Sequence, residues 1–141
     1  MKSTSILSLA LVLACAPAYK TEVIKATSGP VRPFSPAVKT NGFIFLSGQV
    51  GTDSTGKLVS GGIQPETRQV MTNIRDLLNR SGSSMDKVVK CTVFILDMAE
   101  WPAMNEVYIT FFKGPPPARS AAGASGLALG ARVEIECIAA Q

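Results

Sequence analysis

Two rhythms of hydrophobic and polar positions run along the chain. Val88 to Leu96 (VVKCTVFIL) and Arg132 to Ala140 (RVEIECIAA) carry the period of two expected of strands. Weaker strand signals lie at Thr21 to Ala26 and in ARSAAGAS, from Ala118. The run AVKTNGFIFLSGQVG reads as a hairpin, because Asn41-Gly42 supplies the positive-φ pair of a tight turn, with Phe43 to Ser47 returning. A turn-rich excursion follows, with Asp53 to Gly56 at its tip. The period of 3.6 takes over twice. Pro65 opens a helix to about Arg80, with Val70, Ile74, Leu77 and Leu78 on one side and Gly82 as its stop. A second helix spans Ala99 to Phe112, with an apolar stripe of Trp101, Met104, Tyr108, Phe111 and Phe112 that reads first as core. The order predicts an α+β domain: one sheet and two helices.

Two helices cover one face of such a sheet, yet the strands are apolar on both. Phe43 and Phe45 alternate with Ile44 and Leu46. In the central strand, Val89, Cys91, Val93 and Ile95 share one expected face, and Val88, Lys90, Thr92, Phe94 and Leu96 the other. A solvated antiparallel face alternates more cleanly. The second face is therefore expected to be covered by another copy of the chain. In the last strand Val133, Ile135 and Cys137 face one way, and Glu134, Glu136 and Ile138 the other.

Composition narrows the chemistry. The 141 residues suffice for one domain, and a net charge of +4 with scattered basic residues gives no nucleic-acid stripe. There is no histidine. Triads with imidazole and histidine-ligated metals are thereby excluded, and proton transfer falls to Asp, Glu, Lys, Tyr or Cys. No C-x-x-C pattern occurs, so no metal site is expected. Residues 1–18 resemble a signal peptide: Lys2, an apolar run from Ile6 to Leu13, then Ala16-Pro17-Ala18. Cleavage there would leave a domain of residues 19–141 and a secreted protein. The run is too short to span a bilayer. No arginine precedes Arg32, which counts against a mitochondrial presequence. Cys91 and Cys137, both in strands among aliphatic neighbours, read as buried free thiols. A bond between them would suit a secreted protein, and spacing does not decide between the two.

The stretch GPPPARS stiffens the chain with three prolines just before Arg119. On its own, Arg119 reads as a solvated strand arginine. Five segments then appear in order: SGQVG, VVKCTVFILD, MNEVYITFF, PPARS and RVEIECIAA. Together they resemble the RidA (YjgF/YER057c/UK114) family over Thr21 to Gln141. The resemblance implies a chorismate-mutase-like fold: a single sheet with two helices on one face, closed as a trimer barrel with clefts between subunits. It implies hydrolysis of 2-imino acids, such as 2-iminobutanoate and 2-iminopropanoate, to 2-oxo acids and ammonia, with no cofactor. It implies a cytoplasmic or mitochondrial location, as for most of the family, where the leader implies secretion.

Carried over by position, the resemblance makes Arg119 the carboxylate fork and Glu136 the group that orients or deprotonates water, with Glu134 its structural neighbour. It places Asn105, Phe34, Ser47, Gly48 and Ala121 around the substrate. Asn105 reads equally as a helix-surface or capping amide, and Ser47 as a strand-end hydrogen bond. Two positions depart from the family: Phe34 stands where tyrosine is common, and Ala121 where many bacterial members have cysteine. Two other readings stand beside the enzyme. One is RNA binding or endoribonuclease action, which the charge permits but no aromatic RNA-reading pattern supports. The other is a non-catalytic metabolite-binding or chaperone-like module.

Overall fold

The computed structural model describes residues 20–27 and 32–141. The leader expected at residues 1–18 lies outside the described residues. Strands β1 (Thr21–Ile24), β2 (Ala37–Thr40), β3 (Phe43–Leu46) and β4 (Gln49–Val50) come first. Helix α1 (Ile63–Arg80), β5 (Val88–Ile95), helix α2 (Trp101–Tyr108), β6 (Ala118–Gly123) and β7 (Val133–Ala140) follow. The strands form one seven-stranded sheet in the order β1-β2-β3-β7-β5-β6, with β4 also paired to β7. Every pairing is antiparallel except β5 with β6, which α2 connects as a parallel crossover. The expected α+β class, a sheet with two helices, is what the described residues form.

Local chemistry explains the boundaries. Asn41 and Gly42 sit at φ of 48° and 78°, the left-handed pair of a two-residue hairpin turn. Helix α1 ends where Gly82 takes φ 80°. There the Gly82 and Ser83 N–H groups donate to the carbonyls of Asn79 and Leu78, closing the last turn. The second helix is shorter than its stripe suggested. Only Trp101–Tyr108 is α-helical, and 3-10 turns at Met98–Glu100 and Ile109–Phe111 flank it. The Asp97 carboxylate caps the first turn by accepting from the Ala99 N–H at 2.9 Å.

The core lies between the helices and one sheet face. Ile44, Val93, Ile95, Val133, Ile135 and Ala139 meet Val70, Met71, Ile74, Leu78 and Met104, all with no exposure. The alternation in β7 holds as expected. That in β5 is corrected at its start: Val88 is buried at 9% exposure and Val89 is 45% exposed. Val88 faces Ala139 while Lys90 faces Ile138, so the bulge at Val89 shifts the first residue to the other side. Cys91 and Cys137 stand directly opposite in β5 and β7, and a disulfide joins them. The expectation of free thiols is thereby corrected; the antiparallel register, which residue spacing does not reveal, brings the two sulfurs together.

The other sheet face is bare. Phe43, Phe45 and Val89 are each more than 40% exposed. Strand register sets Ile138, Phe94 and Val38 on the same side. Among the described residues no helix is long and apolar enough to cross a membrane.

Candidate active site

Arg119 lies in β6 beside Cys91 of β5, on the helix-covered face. Its side chain is half-buried and reaches α2. Nη1 donates to Asn105 Oδ1 at 2.7 Å. The guanidinium carbon stands 5.3 Å from the Trp101 ring centre and 4.8 Å from that of Tyr108. Trp101, Asn105 and Tyr108 are spaced i, i+4 and i+7, so one stripe of the helix presents all three. The aromatic stripe thus divides: Met104 is core, while Trp101 and Tyr108 flank the cation. Asn105 is fixed as a partner of Arg119, and its reading as a capping amide falls away. Ala121 follows Arg119 by two residues on the same face, partly buried against the core.

Arg119 forms no ion pair among the described residues, whereas Arg132 spends its charge on Glu100 at 2.6 Å. Hydrogen bonding to Glu100, then its charge, raises the Arg132 guanidinium above its ordinary pKa. Burial pushes the Tyr108 phenol up to about 12, against the pull of the nearby Arg119 charge. The phenol therefore stays neutral, and its buried oxygen has no hydrogen-bond partner among the described residues.

A second group gathers where β3 meets β4. The Ser47 hydroxyl donates to the Ser35 carbonyl at 2.7 Å, and the Ser47 N–H to that of Pro36 at 2.9 Å. Ser47 thus ties down the loop that carries Phe34. Phe34 is exposed beneath Arg32, in a groove of about 480 Å³ shared with Asp53, Asn73 and Arg80. Gly48 packs against the Glu134 carboxylate so closely that a Cβ there would overlap it. Glu134, expected only as the structural neighbour of Glu136, is the carboxylate that the glycine of SGQ seats. Glu136 stands apart, exposed in a recess of about 150 Å³ with Phe45, Lys90 and Thr92.

The expected site residues therefore form two halves rather than one cluster. Arg119, Asn105 and Ala121 belong to the helix-covered side. Ser47, Gly48 and Glu134 gather at the β3–β4 turn, while Phe34 lies in the groove bordered by Asn73 and Arg80 of α1. In register, Glu134 and Glu136 oppose Phe94 and Thr92 on the bare face. Within one chain, Arg119 and the β7 carboxylates therefore face opposite sides of the sheet. Among the described residues, no cluster of acidic, cysteine or histidine side chains is suited to a metal.

An arginine without an ion pair among the described residues on one face, and a glycine-seated carboxylate on the other, mark an α+β chain with candidate groups on both sides of its sheet. The family model described as endoribonuclease L-PSP matches residues 11–141. The chain is 43% identical to the 2-iminobutanoate/2-iminopropanoate deaminase of Mus musculus over 123 residues, 85% of this chain and 91% of that protein. It is 40% identical to the chloroplastic Reactive Intermediate Deaminase A of Arabidopsis thaliana over 127 residues, 88% of this chain and 68% of that protein. A solved structure of the conserved Rid protein family, YyfA from Yersinia pestis, superposes with a TM-score of 0.81 at 40% identity, covering 86% of this chain and all of that one. The chain belongs to the RidA (YjgF/YER057c/UK114) family, the family of the endoribonuclease L-PSP model.

Proposed function

We propose that this chain hydrolyses small 2-imino acids to 2-oxo acids and ammonia, in clefts between copies of a homotrimer. The observation that carries the reading is the Arg119 guanidinium: held by Asn105, walled by two rings and lacking an ion pair among the described residues. A 2-imino acid presents a planar carboxylate, which such a fork grips through paired hydrogen bonds. The names of the relatives, including 2-iminobutanoate/2-iminopropanoate deaminase, support the reaction.

In this reading Arg119 fixes the carboxylate and so the orientation of the adjacent C=N bond. Water adds to the protonated imine carbon, and a carboxylate accepts its proton. The resulting carbinolamine takes that proton on nitrogen, and as its C–N bond breaks the hydroxyl returns a proton to the carboxylate, leaving the 2-oxo acid and ammonia, which departs as ammonium. We give the water-handling role to Glu134 rather than Glu136. Its carboxylate packs directly on Gly48, whose missing side chain makes the room that seats it. Because the β7 carboxylates and Arg119 occupy opposite faces, the fork of one copy works with the carboxylate of the next. Residues 1–18 are proposed as a leader removed from the mature chain; the Cys91–Cys137 bond accords with an oxidising destination. N-terminal sequencing that finds Met1 retained would remove this part.

The test is ammonia release from freshly generated 2-iminobutanoate. Arg119→Ala is expected to lower kcat/KM by about a hundredfold or more, as loss of a charged bidentate contact does. Glu134→Gln should abolish turnover and leave product binding, while Glu136→Gln stays near wild type. Full activity in Arg119→Ala rejects the reading. Loss in Glu136→Gln with a normal Glu134→Gln moves the acid back to Glu136.

A further inference from the structure

We propose that Trp101 and Tyr108 are positioning residues for carboxylate capture: their rings hold the Arg119 guanidinium so that its free donors stay aimed at the ligand. The proposal rests on the reading that Arg119 grips the substrate carboxylate.

Three observations carry it. First, Trp101 and Tyr108 lie on either side of Asn105 along one helix stripe, and both rings come within 5.3 Å of the guanidinium carbon. That is inside the range of cation–π attraction. Second, a single guanidinium N–H is committed to Asn105, and five are available. The donors left over have no acidic partner among the described residues. Third, the Tyr108 hydroxyl is buried without a partner among the described residues, so the residue serves through its ring. A free arginine side chain gives up rotamer freedom when it is fixed. Rings that fix it beforehand remove that cost from binding, so the clamp acts on affinity and leaves the chemical step alone.

The chain has one tryptophan, Trp101, which makes its emission a direct reporter of the clamp. The full-length assembled protein is titrated with 2-oxobutanoate, and in parallel with 2-butanone, which has the same skeleton without the carboxylate. A saturable change in emission with the acid alone supports the proposal. No change, or the same change with both, overturns it. In kinetics, Trp101→Leu is expected to raise KM for the imine about fivefold with kcat within about twofold, and Trp101→Phe to restore most of it. Tyr108→Phe should match wild type, and Tyr108→Leu should follow Trp101→Leu. A fall in kcat at constant KM, or no difference between the leucine and phenylalanine variants, overturns the clamp. A wild-type protein without deaminase activity would sink the proposed reaction instead, and the emission titration would still decide the clamp. That titration uses unaltered protein, so it stands even where a leucine variant fails to fold.

Discussion

The two faces of the sheet have been finished to different degrees. On the helix-covered face the cation is complete within one chain: Arg119 has its amide partner, its two rings and a floor of core residues. On the bare face, phenylalanines 43 and 45 remain exposed around the β7 carboxylates. In the proposed reading, this difference divides the labour. Binding the anion needs a rigid fork, which a single core can supply. Shielding a carboxylate and its one nucleophilic water from bulk solvent needs a lid, which the exposed apolar face could receive from another copy of the chain.

The comparison breaks most sharply at the seam. Phe45→Asp places a charge in the middle of the bare apolar face and is expected to leave a folded monomer with activity at least about a thousandfold down, since half of each cleft is lost. Light scattering read beside ammonia release checks it. An active monomer would show that one chain suffices. The next effect lies on the covered face. The Cys91–Cys137 bond closes a loop of 46 residues, and its reduction is expected to lower unfolding stability by up to about 4 kcal/mol. Denaturant midpoints with and without reductant measure it; an unchanged midpoint means that the thiols are free in the native protein.

The smallest effect concerns Tyr108. Its pKa rises from 10.0 unfolded to about 12 folded, chiefly through burial. The folded state therefore holds the proton more tightly, and the stability this gives is full below pH 10 and lost as pH climbs towards 12. Denaturation midpoints across that window should fall more steeply for wild type than for Tyr108→Phe. Parallel curves would show that the phenol is not set apart from water.

Much of this was legible in the residues. Strand and helix periods gave the element order, and Asn41-Gly42 and Gly82 gave their punctuation. The uncovered apolar face was visible because phenylalanine and isoleucine alternate where a solvated sheet would show polar side chains. Register was not legible. A one-residue bulge at Val89 reverses the facing of the start of β5, and nothing in VVK announces it. The same blindness left Cys91 and Cys137 as free thiols. At the site, the residues alone left Arg119 a solvated strand arginine, and only the family resemblance singled it out. The partition of its surroundings between two faces, and the seat of Glu134 on Gly48, depend on which strands lie side by side.

The parallel pairing of β5 with β6 has a kinetic consequence. Trp101, Asn105, Tyr108 and Arg119 fall within a single strand–helix–strand stretch, Val88 to Gly123. The β3–β7 pairing that frames the carboxylates joins Phe45 to Ile138, near opposite ends of the described sequence. Closing short chain loops costs less entropy than closing long ones. Folding order therefore favours Arg119 and its α2 partners assembling early, with the β3–β7 seam forming only when segments far apart in the chain meet.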